Sequence, residues 1–170
     1  MANFVGNDQI RQLRFGRKVA RAAATIPQTT STAIFTVTGG RIAITGVVGE
    51  VTTVIGSTSV NFNLTYTPSG GSAADLCAAT ACTSDAVGTI YSLTSGVATD
   101  LLSIQSVSAI GGTPVAASEV PNVTYAHLLW RPILVRAGAL NFKTSASTTG
   151  AVKWDLTYIP FDDGASVVAA

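Results

Sequence analysis

Charge is scarcest in this 170-residue chain: only 11% of residues are Asp, Glu, Lys or Arg, against roughly 25% in an ordinary soluble domain. So few charges protect a free monomer poorly against association, so much of its surface is expected to be covered by neighbours. The single histidine, His127, excludes a histidine-based metal cluster within one chain, and any catalytic triad would have it as sole base. Two cysteines, Cys77 and Cys82, are too few for a disulfide framework. They read as small, half-buried thiols in a reducing compartment, the alternative being closure of one short loop. No run reaches the about 20 consecutive apolar residues of a membrane helix, because the uncharged stretches 22–40 and 51–74 are full of Thr, Ser, Gly, Asn and Pro. The N-terminus has neither a short apolar run after its charges nor a signal-like cleavage site, which implies synthesis and assembly inside a cell. No phosphate-cradling glycine loop followed by Lys-Ser/Thr occurs.

The few charges are unevenly placed. Arg11, Arg14, Arg17, Lys18 and Arg21 are half of the ten cations. Set against Asp8, they leave residues 1–21 at +4, so the net +1 of the whole chain puts residues 22–170 at −3. The chain divides accordingly into a basic N-terminal arm, 1–25, and one domain, 26–170. As a helix over 8–24, the arm would carry Arg11, Arg14, Lys18 and Arg21 on one stripe, with Ile10, Leu13, Ala20 and Ala24 roughly opposite. Gly6 and Gly16 oppose the helix and Pro27 ends it, so an extended arm lying across an acidic neighbour is the other form. These five cations are the candidate partner-binding residues. Acidic protein ranks first as their target, nucleic acid second.

The body reads as strands. Ile34-Phe35-Thr36-Val37-Thr38, Gly39-Gly40 and Arg41-Ile42-Ala43-Ile44-Thr45 have the form of a hairpin about a two-residue glycine turn. The second arm continues through Val47-Val48 to Ile55, with Gly46 and Gly49 marking bulges or bends. Asn61–Thr67 alternates, placing Phe62, Leu64 and Tyr66 on one face. Val152, Trp154, Leu156 and Tyr158 do the same near the C-terminus. Further strands are expected at 88–93, 101–107, 133–135 and 139–143, a short helical turn at 73–81, and a surface excursion at 111–122. Short strands with turn chemistry between them predict an all-β fold, a β-sandwich or a jelly-roll-like barrel.

Candidate chemistry is sparse. His127 lies in the apolar run Tyr125-Ala126-His127-Leu128-Leu129-Trp130 with no glycine-serine elbow nearby, and reads as structural. Asp75, Cys77, Cys82 and Asp85 match no defensible ligand spacing. Asp162-Asp163-Gly164 reads as a turn whose carboxylates bond nearby amides. Trp130, Tyr125, Tyr91 and Tyr66 are the available stacking faces, with core the simpler placement for Trp130 and Tyr66. The expectation is therefore no enzyme, no cofactor and no metal.

The runs Ala22-Ala23-Ala24-Thr25-Ile26-Pro27-Gln28-Thr29-Thr30, Ile34 to Gly40 and Gly49-Glu50-Val51-Thr52-Thr53 resemble small structural proteins of tailed bacteriophages. So do Ala74-Asp75-Leu76-Cys77, Gly88-Thr89-Ile90-Tyr91, and the closing segment from Val152 to Pro160 with Asp162-Asp163-Gly164-Ala165. The resemblance spans residues 22–165 and rests on strand and turn patterns. It implies a head decoration or cement protein, assembled into the virion in the host cytoplasm. The implied partners are the major capsid protein or other virion proteins and further copies of itself, a trimer being favoured, with no membrane. The alternative is a tail or spike component that adheres to a host glycan.

Overall fold

The computed structural model describes residues 6, 9, 10, 12, 15–94, 103–107 and 132–170. The fold is all-β, a sandwich of two antiparallel sheets. Along the chain run β1 (Arg17–Thr25), β2 (Ser31–Thr38), β3 (Ile42–Thr53), β4 (Asn61–Pro68), β5 (Ala74–Asp75) and β6 (Thr80–Ala81). Then follow β7 (Ile90–Thr94), β8 (Ser103–Val107), β9 (Ile133–Val135), β10 (Gly138–Thr144), β11 (Ala151–Pro160) and β12 (Ser166–Ala169). The front sheet has the order β1-β11-β3-β7-β8, with β9 also on β3; the back sheet has β12-β2-β10-β4-β5, with β6 also on β4. The strands expected at 88–93, 101–107, 133–135 and 139–143 are β7, β8, β9 and β10. The excursion expected at 111–122 lies outside the described residues.

The glycine pair 39–40 does not close a hairpin. β2 belongs to the back sheet and β3 to the front, so the turn carries the chain from one layer to the other. Both glycines have positive φ, 74° and 147°, and a Cβ on Gly39 would stand 2.3 Å from the Gly164 carbonyl oxygen. The tight, left-handed backbone seen in sequence is real, but its partner is the turn before β12 rather than a neighbouring strand. The helical turn expected at 73–81 is also absent. Ala74–Asp75 and Thr80–Ala81 instead pair with β4 at Thr65–Tyr66 and Asn61–Phe62.

Bulges set which side chains face inward. Along β3 the inward residues are Ile42 and Ile44, then Val47, Gly49 and Val51, an alternation that slips by one residue. The register accounts for the slip: Tyr158 faces Ile44 and Thr157 faces Gly46, leaving Thr45 as the extra residue. Without it, Glu50 would point into the core; with it, Glu50 lies outside, 2.7 Å from Lys153. The bulge expected near Gly46 is therefore there. Gly49 has a different use, for its missing side chain makes room for the Trp154 indole, whose ring carbons lie 2.7–2.9 Å from where a Cβ would stand.

Trp154 belongs to the layer that joins the sheets. Tyr91 and Trp154 come from the front sheet, Phe62 and Phe142 from the back. Their ring centroids are separated by 4.5 Å (Phe62 to Tyr91), 5.3 Å (Phe62 to Phe142), 5.1 Å (Phe142 to Trp154) and 6.4 Å (Tyr91 to Trp154). Tilted and edge-on contacts of this kind add to the burial of area. Val152, Leu156 and Tyr158 are buried beside Trp154, as the alternation of β11 predicts, and Phe62, Leu64 and Tyr66 are buried on β4. Asn63 and Thr65, on the opposite face of β4, are also buried, and Asn141 donates to Thr67 Oγ1 at 3.0 Å on that face.

Gly49→Ala should therefore destabilise the fold by about 1–3 kcal/mol, the usual range for overpacking, as measured by urea unfolding. In a Trp154→Leu background the same change should cost well under half as much, since the ring that it strikes is gone.

Candidate interaction surface

The N-terminal segment enters the sandwich at one defined point. Thr45, the bulge residue of β3, donates its hydroxyl to the Phe15 carbonyl at 2.6 Å. Gly16 follows with φ 86°, and a Cβ there would lie 2.2 Å from the Tyr158 carbonyl oxygen. Only glycine fits between this turn and β11. From Arg17 onward the chain is the edge strand β1, paired with β11 from Arg17 opposite Tyr158 to Thr25 opposite Ala151. Over Arg17–Thr25 the backbone is extended, neither helical nor laid across a neighbour but paired as an edge strand of the chain's own front sheet.

This incorporation decides what the basic residues do. Lys18 reaches Asp155 across the strand pair at 2.9 Å, and Arg21 donates through Nε to the Ala170 carbonyl at 2.9 Å, bridging the edges of the two sheets. Arg17 is exposed and makes no ion pair among the described residues. Arg11 and Arg14 lie outside the described residues. Two of the five candidate cations are thus engaged within the fold, and Arg17 is turned to solvent at the root of the N-terminal segment.

Beside that root lies an apolar strip. Ile159 of β11 is opposite Ala43 of β3, which is opposite Leu134 of β9, and directly opposed residues share one face of a sheet. Ile159 is 43% exposed and Leu134 51%, with Phe161, just beyond β11, at 60%. Gly16 adjoins the strip, since a Cβ on it would be 3.0 Å from Ile159 Cγ1. Sequence reasoning missed these residues, although Ile159 carried a signal. It occupies the outward phase of β11, after Lys153, Asp155 and Thr157, where an apolar residue is out of pattern. Leu134 carried none, because Ile133 and Val135 on either side conceal the phase.

Arg41 borders the strip. Its backbone amide donates to Asp162 Oδ2 at 2.7 Å, its Nε donates to the same oxygen at 2.9 Å, and a terminal guanidinium nitrogen donates to Oδ1 at 2.7 Å. The guanidinium carbon also sits 4.7 Å from the centre of the Phe161 ring. The two-pronged contact raises the Arg41 pKa and lowers that of Asp162 from 3.8 to about 2, the side-chain hydrogen bond being the largest cause for both. Asp162 does bond a backbone amide, but that of Arg41, beside the neighbouring strand β3, rather than one in its own turn.

The remaining candidates separate cleanly. Tyr66 and Tyr91 are buried, so neither offers a stacking face. The Tyr66 hydroxyl donates to the Arg136 carbonyl, and burial pushes its pKa up to about 12. Tyr91 donates to Asp85 Oδ2 at 2.6 Å, which occupies that carboxylate, and burial raises the phenol further. No group of three or more His, Cys, Asp and Glu side chains fit to hold a metal occurs among the described residues. Cys77 and Cys82 are free, buried thiols. Burial raises their pKa to about 11 and about 12. Tyr125, His127 and Trp130 lie outside the described residues.

Two expectations follow. Both thiols should resist a water-soluble maleimide at pH values near neutrality and react only as the chain unfolds, read by mass spectrometry. Because the Asp162 pKa is depressed on folding, the carboxylate stabilises the native state above its ordinary value, and this is lost as pH falls through about 2. Asp162→Asn should lower Tm at neutral pH, and the gap from the parent protein should close between about pH 4 and about pH 2. No family model, curated protein or solved structure matches the chain.

Proposed function

We propose that this protein is a structural component of a tailed-phage particle, a head decoration protein that binds the capsid lattice and further copies of itself. The observation that carries the proposal is the convergence of an exposed apolar strip, Leu134, Ala43 and Ile159 with Phe161, on the point where the basic N-terminal segment meets the sheet. A chain with only 11% charged residues, half of its cations in one N-terminal segment, suits a lattice protein, whose work is binding energy spread over interfaces. The apolar strip packs between protomers, a trimer being favoured, and the basic segment reaches an acidic capsid surface. Where a segment becomes ordered only on docking, the cost is about 1–2 kcal/mol per residue of backbone. Many copies on one lattice offset that cost through avidity.

The test uses particles made without this protein, to which purified protein is added back and imaged. Full-length protein should occupy regular positions on the head. Removal of residues 1–14 keeps Phe15, Gly16 and β1, so the body should fold with unchanged Tm but lose most of its occupancy. Leu134→Asp with Ile159→Asp should reduce self-association in analytical ultracentrifugation without unfolding the chain. Occupancy that survives the deletion would remove the anchoring role of the segment, and localisation to the tail would overturn the decoration reading.

A further inference from the structure

The front sheet has a second end, and its chemistry is unlike the first. Where β1, β11 and β3 finish, Thr25 faces Ala151 and Ala151 faces Thr53. Ala151 precedes Ile159 by eight residues of β11, so this end lies roughly 26 Å from the apolar strip at about 3.3 Å per residue. Here the loops at 56–58 and 147–150 and the start of the β1–β2 connection enclose a groove of about 790 Å³. Its polar lining includes Thr25, Gln28, Thr53, Ser57, Thr148 and Thr149, and no charged residue is among the described residues that line it.

This lining narrows the class of ligand. Without a cation it offers nothing to balance a phosphate or carboxylate, and without an anion nothing to hold an amine or metal. Ala151 is the only apolar side chain among the described lining residues, and the other apolar surface is threonine methyl and backbone carbon, so no large apolar face is offered to a lipid or an aromatic ring. What remains is an array of hydroxyls and one amide, each able to donate and accept. The amide is fixed: Gln28 Nε2 donates to the Ile26 carbonyl at 2.9 Å and to the Thr148 carbonyl at 2.8 Å, which leaves the amide oxygen as an acceptor.

A second observation marks the groove as a site. Thr148 is only 7% exposed, and its Oγ1 is buried without a hydrogen-bond partner among the described residues. An unspent buried hydroxyl is destabilising, and replacing it with an apolar group of the same shape is neutral or stabilising. Its neighbour is glycine: Thr148 Oγ1 and Thr149 Oγ1 both lie 2.8 Å from the point where a Cβ on Gly56 would stand. Any larger residue at position 56 would press on both hydroxyls.

We infer that this groove binds a neutral, polyhydroxylated ligand, a carbohydrate, through hydrogen bonds from Ser57, Thr148, Thr149 and Gln28. Rotation of Thr148 about χ1, among its staggered positions, presents the unspent hydroxyl to the sugar. Exchange of water for sugar hydroxyls gains little per bond, so a single groove binds in the millimolar range and many copies act together. The groove is remote from the apolar strip, so this inference goes beyond the decoration reading and does not depend on it.

The experiment follows the amide spectrum of the full-length, nitrogen-15-labelled protein during titration with maltohexaose, cellohexaose and mannohexaose, with an oligogalacturonate as anionic control. At least one neutral hexasaccharide should shift the amides of Gly56, Ser57, Thr149 and Gly150 in a saturable way, and the control should not. Thr149→Val should weaken that binding roughly five- to tenfold, as expected for one lost hydrogen bond. Thr148→Val should weaken it similarly while leaving Tm equal or higher, a pairing that a merely structural hydroxyl would not give. Absence of groove shifts at millimolar sugar would overturn the inference, as would equal binding of the anionic control or unchanged affinity in both variants. A lower Tm in Thr148→Val would overturn it too, by showing that the hydroxyl already has a structural partner.

Discussion

The contact between Trp154, Phe142, Phe62 and Tyr91 is what makes two sheets into one body. Each ring belongs to a different strand, and each sheet supplies two of them. With aromatics at 7% of the chain, this layer concentrates a third of the twelve Phe, Trp and Tyr residues at one place between the sheets. Gly49 is part of the same device, for the indole lies where that residue's side chain would be. The sandwich is held at the centre by large rings and closed at its edge by a polar contact, the Arg21 guanidinium on the last carbonyl of the chain.

Phase control is the second constraint. A strand that slips by one residue exchanges its inner and outer faces, and β3, the longest strand, is protected by bulges at Thr45 and Thr52. In β2 a further irregularity, between the partners of Leu140 and Asn141, allows Ile34 and Phe35 to be buried side by side. The bulge at Thr45 has two uses. It keeps Glu50 outside beside Lys153, and its hydroxyl ties the Phe15 carbonyl, fixing where the N-terminal segment joins the front sheet.

That junction gives the molecule polarity. One end gathers Arg17, the strip of Ala43, Leu134 and Ile159, and the Arg41–Asp162 clasp over Phe161. The other end gathers uncharged hydroxyls around Gly56. An apolar, cation-bordered end suits a protein neighbour and a hydroxyl-lined end suits a neutral polar ligand, so the two ends are chemically equipped for different contacts. Between them, the large apolar side chains on the inner faces of the sheets are spent on the core.

The amino-acid sequence by itself determined β2 to β4, β7 to β11 and much of the core, but not β1, β5, β6 or β12. β11 and β4 were legible because burial on one face imposes a two-residue period, and Gly39-Gly40 was legible as a turn because only glycine adopts that backbone readily. Scarcity of charge was legible as a surface short of solubilising groups. Layer assignment was decided only in three dimensions, since the same two-glycine turn serves a hairpin or a crossing between sheets and the choice depends on Gly164, 125 positions further on from Gly39. The fates of Lys18 and Arg21 were settled there too, by Asp155 and the Ala170 carbonyl. The apolar strip and the hydroxyl groove belong to the same class: each joins residues from distant strands or loops, and local pattern records which face a side chain occupies but not which distant residue shares it.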